Sequence, residues 1–149
     1  MHAMPEGKSW PFVRAFWQTM MREWTGIDRL RLNKFYDLMA RSVQHSVQSL
    51  ASASWSIELI GEYASVLGDT VLAPSSPSGL RYFFADRFLA ILSEAVVRSG
   101  ESGGLSDDGT LRLLDPFISL LSRECMRWPS LRMHWPSRLA CTDIARARV

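Results

Sequence analysis

Between Pro11 and Trp24 apolar side chains return every three or four residues. Phe12, Val13, Phe16, Trp17, Met20 and Trp24 fill one arc of a helical wheel, and Arg14, Gln18 and Arg22 fill the other. An arc this wide predicts a helix that touches other helices on two sides. The same period returns in four later stretches, and nowhere does the chain alternate with the two-residue period of a half-buried strand. These patterns predict an all-α fold of about five helices, with antiparallel helix pairs stacked as an α-superhelical, HEAT-like domain. No sequence repeat accompanies that stack.

Local signals divide the helices. Thr25-Gly26 is expected to end the first one, with Gly26 in the left-handed position after the last turn. Asp28 offers a cap oxygen to the next helix, so Trp24 to Asp28 reads as the tight turn of an antiparallel pair. The second helix is expected over about 29–50, with Leu32, Phe35, Tyr36, Met39, Val43, Val47 and Leu50 inward. Asp37 and Arg41 are placed to form an ion pair on its outer face. A Ser-rich stretch over 49–56 precedes a third helix, about 55–67, and a fourth follows the loop 73–79, over about 80–98. Asp115-Pro116 reads as cap and first residue of a fifth helix to about Met126, with Phe117, Leu120, Leu121 and Cys125 inward. The spacing of Trp10, Trp17 and Trp24 fits a core stripe better than an aromatic platform for a ligand.

The chain has 149 residues, enough for one domain with a substantial core. The reading places a helical domain over 1–126 and a loosely ordered tail rich in Arg, Trp and Pro over 127–149. No apolar run reaches the roughly 18 residues of a membrane span, and the first residues lack the apolar centre of a signal peptide. Cys125 and Cys141 are expected to stay reduced, and with the scattered His2, His45 and His134 they form no metal-binding spacing. The net charge of +2 does not argue for nucleic acid, although six Arg after residue 122 make the tail basic. Phosphate-cradling, nucleophile-elbow, zinc-helix and calcium-loop motifs are missing. Asp107-Asp108 reads as a helix start beside a Ser/Gly turn, and Glu23 as a cap or a partner of Arg29 or Arg31. No catalytic, cofactor or metal site is expected, and neither a cofactor nor a small-molecule substrate.

One segment is more specific than its composition. Phe16 to Arg41 reads FWQTMMREWTGIDRLRLNKFYDLMAR. It resembles the signature of the eukaryotic ribosomal RNA processing protein one family, the nucleolar Nop family found with large-subunit precursors. Arg22-Glu23-Trp24, Gly26-Ile27-Asp28, Arg29-Leu30-Arg31-Leu32 and Lys34-Phe35-Tyr36 carry the likeness, and Asn33 stands where the family has Asp. Gly79 to Leu92 and Leu111 to Phe117 resemble two later family elements in the right order. The resemblance implies an α-superhelical domain and a nucleolar, nuclear location. It also implies assembly-factor work in rRNA processing and large (60S) subunit biogenesis, as a scaffold in the preribosome. Its implied partners are large-subunit preribosomal proteins and assembly factors, with precursor rRNA as a second candidate and no membrane. The chain is expected to be a partial or divergent member that lacks upstream helices, which would leave the face of Phe12 to Trp24 partly uncovered.

Within the signature, Trp24, Gly26, Asp28, Leu32 and Phe35 are expected to define the fold, as are Asp115 and Pro116 later on. Arg22, Arg29, Arg31, Lys34 and Arg41 are not needed for packing and are the candidates for partner or RNA contact. Arg22, Arg29 and Arg31 should gather around the turn. There they could meet RNA phosphate or an acidic protein surface, or pair with Glu23, Asp28 and Asp37.

Overall fold

The computed structural model describes residues 9–99 and 104–127. They form α1 (Ser9–Glu23), a 3-10 turn (Trp24–Gly26), α2 (Leu32–Ser52), α3 (Ile57–Asp69), α4 (Ser78–Ser99) and α5 (Asp107–Arg127). No strand occurs among the described residues. The expected tail lies outside them from residue 128 onward.

The all-α stack of helix pairs is the fold that forms. Its closest backbone approaches join alternate helices: α1 lies along α3, α3 along α5, and α2 along α4. The chain thus builds two rows, α1–α3–α5 and α2–α4. The turn after α1 joins the rows rather than bending a tightly packed α1–α2 hairpin, which corrects the expectation for Trp24 to Asp28. Small side chains let α3 approach α5, where a Cβ added at Gly68 would meet Pro116 Cβ at 3.8 Å.

Large rings fill the space between the rows. Phe84 and Phe88 of α4 are fully buried. Phe84 meets Trp17 of α1 edge-on at 5.1 Å, Phe88 meets Tyr63 of α3 at 6.5 Å, and both stack on Phe117 of α5, at 5.9 and 5.1 Å. Trp10 of α1 adds a contact to Tyr63 at 4.9 Å. Trp10 and Trp17 are therefore core residues, as expected. Their indole N–H groups, like that of Trp55, find no acceptor among the described residues, so the rings serve packing alone. Burial drives the ionisation of the Tyr63 hydroxyl far above the ordinary phenol range, opposed by Ser46 alone, and the group stays neutral. The uncovered part of α1 narrows to Phe12, which is 64% exposed, with Phe16 half-buried.

The ends of three helices show how local geometry answers to packing. First, α1 tightens into its 3-10 turn, closed by the Ile27 N–H donating to the Trp24 carbonyl at 3.4 Å. Gly26 is not left-handed there, and a Cβ at that position would meet nothing within 4 Å, so the turn does not depend on glycine. Second, α5 starts at Asp107, not at Pro116. Ser106 caps it, accepting from the Gly109 N–H at 3.1 Å, and Asp107 and Asp108 complement the dipole of the first turn. Asp115 and Pro116 therefore lie inside the helix. Leu113, Phe117 and Leu120 continue one apolar face through the proline, and that burial offsets the missing N–H donor, worth about 3 kcal/mol. Leu121, expected inward, falls off this face and is exposed.

Third, α2 ends without a glycine. Ser54 and Trp55 adopt φ of 53° and 55°, and the Trp55 N–H donates to the Leu50 carbonyl at 2.9 Å. This six-to-one bond is the Schellman closure that usually takes glycine. It is held in place by the Trp55 side chain, which is buried in the core. The loop after α3 also contributes to the core through Val71, Leu72 and Ala73, residues without helical spacing to announce them.

Two outcomes follow for thermal or denaturant unfolding. Phe84→Ala removes the ring shared by three helices and should cost about 3–5 kcal/mol. Ser54→Gly relieves a left-handed backbone costing about 1–2 kcal/mol against a glycine entropy cost of about 0.5–1 kcal/mol. It should raise stability by about 0.5–1 kcal/mol.

Candidate functional site

The turn between α1 and α2 is fixed from below by rings and from within by one carboxylate. Trp24 packs on Tyr36 of α2 at 5.9 Å, and Tyr36 stacks on Phe83 of α4 at 4.3 Å and 18°. Trp24 also covers Gly79, where an added Cβ would lie 3.5 Å from its indole nitrogen. This ladder ties the turn to both helices of its row. Tyr36 is the packing residue here. Phe35 lies half-buried against the core, while Leu32 is half-buried but outside the core cluster.

Asp28 orders the backbone above the ladder. Its Oδ1 accepts from the N–H groups of Leu30 and Arg31 at 3.1 and 3.0 Å, the two bonds expected of an N-cap. Its Oδ2 accepts from the Arg31 side chain. That Arg31 bond, then the Arg31 and Leu30 backbone bonds, holds the carboxyl below its ordinary 3.8. The regular helix begins only at Leu32, one turn later.

The candidate cations divide into two groups. Arg22 pairs with Glu23 at 2.6 Å and Arg31 with Asp28, all on the surface. Glu23 thus finds its neighbour Arg22 rather than Arg29 or Arg31. Surface pairs of this kind add at most about 1 kcal/mol. Arg29, Lys34 and Arg41 are exposed and form no ion pair among the described residues. Asp37 and Arg41, expected to pair along α2, do not.

Leucines stand among these cations. Leu30 is 93% exposed and Leu38 47% exposed. Lys34, Leu38 and Arg41 follow one another at spacings of four and three on one face of α2, and Leu30 stands in the turn just before that helix. The sequence held a signal for this face, because Leu30 and Leu38 are out of phase with the core arc of Tyr36, Met39, Val43 and Val47.

Elsewhere the surface offers less chemistry. A groove of about 440 Å³ between α3 and α5 is lined by Gly61, Gly68, Pro116 and Leu120, with Asp69, Arg112 and Arg123 at its edge. Asp69 is engaged by Arg14 of α1 at 3.1 Å and Arg112 by Asp108 at 3.0 Å. Among the described residues no three His, Cys, Asp or Glu side chains gather as metal ligands, and no helix is long and apolar enough to cross a membrane.

The fold and this face define an all-α helical-stack protein with an exposed surface of cations and leucines at its first turn. The sequence profile of the nucleolar protein Nop52 family matches residues 1–139, and the chain belongs to that family. It is 40% identical over 114 residues to human ribosomal RNA processing protein 1 homolog A, covering 75% of this chain and 24% of that protein. Its identity to human homolog B is 39% over 116 residues, covering 75% and 14%. To the Caenorhabditis elegans homolog it is 30% over 115 residues, covering 76% and 27%. The chain thus spans about a quarter or less of the length of these relatives.

Asp28 sets a pH-dependent prediction. Its folded value is depressed, so its contribution is complete above the unfolded value near 3.8 and is lost as pH falls through the lower folded value. Asp28→Ala should lower the melting temperature at neutral pH, and the gap to the parent should close in strong acid. Asp28→Asn, which keeps the cap acceptor, should lose less at neutral pH.

Proposed function

We propose that the chain is the helical scaffold part of a nucleolar assembly factor for rRNA processing. In this reading it works in large (60S) subunit biogenesis, inside the preribosome, and catalyses no reaction itself. The observation that carries the proposal is the family match over residues 1–139, together with relatives whose names assign them to ribosomal RNA processing. The structure is physically suited to the role. Its two helical rows bury their rings between them and leave the outer faces of α2 and α4 for partners. Large-subunit preribosomal proteins and other assembly factors are the partners proposed.

The test is gradient sedimentation of the tagged, natively expressed chain in nuclear extract, probed for precursor rRNA. Co-sedimentation with large-subunit precursors is expected. A soluble, folded chain confined to the top of the gradient would overturn the proposal, and co-sedimentation with small-subunit precursors alone would overturn the 60S assignment.

A further inference from the structure

The exposed face of the turn and the first three turns of α2 combines two features that folding does not use. Among the described residues Arg29, Lys34 and Arg41 meet no counter-ion, and the remaining carboxylate on the face, Asp37, pairs with none of them. Leu30 and Leu38 lie between them with much of their apolar surface in water. Arg31 spends one donor on Asp28 and keeps others of its five for a ligand. The backbone presenting these groups is rigid, because the Asp28 bonds and the Trp24–Tyr36–Phe83 ladder fix it.

A phosphate backbone would use the cations and gain nothing from the leucines. An acidic protein segment carrying apolar side chains would use both. It would neutralise the cations with carboxylates and bury Leu30 and Leu38, in the manner of an amphipathic helix laid on a complementary face. From Leu32, where α2 begins, to Arg41 the face extends about 14 Å at helical rise, and with the turn at Leu30 it has room for about three turns of such a segment. Beyond Arg41 the exposed positions of α2 are Gln44, His45, Gln48 and Ser52, so the basic character stops there.

We propose that this face docks an acidic, amphipathic segment of a protein partner, with Arg29, Lys34 and Arg41 meeting its carboxylates and Leu30 and Leu38 its apolar side chains. This rests on reading the chain as a preribosomal scaffold and gives that scaffold's partner a chemistry.

The test is fluorescence anisotropy of the full chain with three labelled probes. These are an amphipathic peptide of Glu and Leu at helical spacing, a Glu-only peptide of equal charge, and an oligouridine RNA. The amphipathic peptide should bind tightest. Leu30→Ser with Leu38→Ser should weaken it about tenfold and leave the Glu-only peptide unchanged. Arg29→Glu, Lys34→Glu and Arg41→Glu together should weaken both peptides by at least tenfold. All five side chains lie on the surface, so unchanged melting curves by circular dichroism would show that the variants fold. Arg29→Lys with Arg41→Lys should retain most of the binding.

RNA bound more tightly than the amphipathic peptide, with a steep salt dependence lost on charge reversal, would make the face an RNA site and overturn the proposal. Absent peptide binding, or binding indifferent to the leucines, would also overturn it. The same variants on the nuclear-extract gradient separate this inference from the proposed function. Parent and variants co-sedimenting alike would remove the docking face and leave the function standing. A parent that binds the peptide yet stays at the top of the gradient would do the reverse.

Discussion

The rest of the structure depends on the aromatic junction that α4 makes through Phe84 and Phe88. These two rings touch Trp17, Tyr63 and Phe117 on three other helices. Aromatic side chains bury large areas in a few rotatable bonds and add edge and stacking attraction to that burial. One helix can thereby hold both ends of the opposite row. Through these rings α4 fixes its own row, α2–α4, against the row α1–α3–α5.

The same division of labour explains the turn. Its inner side is aromatic and feeds into the α2–α4 row through Trp24, Tyr36 and Phe83. Its outer side is ordered by Asp28 and carries side chains with no role in packing. Membership of the nucleolar Nop52 family gives this outer side its interest. The assembly role proposed above would need surface that the fold leaves unused, and here exposed leucines lie beside cations that form no ion pair among the described residues.

Much of this was legible in the sequence. Helical periodicity gave five helices, most core positions of α2, and the structural role of the tryptophans at 10 and 17. The capping chemistry of Asp28 was also readable, because it is a local hydrogen-bond pattern, although it closes the turn before α2 and the helix itself begins at Leu32. Three readings failed where a local signal met a tertiary one. Asp115-Pro116 has the chemistry of a helix start, but the apolar face from Leu113 to Leu120 carries α5 through it. Gly26 has the chemistry of a left-handed stop, but the chain closes a 3-10 turn instead. Asp37 and Arg41 have pairing distance along a helix, but two solvated side chains gain little by holding it.

The sequence by itself determined the class of the protein and its family. Period and caps are properties of neighbouring residues, and the segment from Phe16 to Arg41 is specific enough to place the chain. Only the tertiary structure decided which helices lie side by side, which cations keep a partner, and which leucines are left outside. Those outcomes depend on ring volume and on distances between residues far apart in the chain. A helical wheel can show that Leu30 and Leu38 are out of phase with the core. It cannot show that, among the described residues, no other helix covers them.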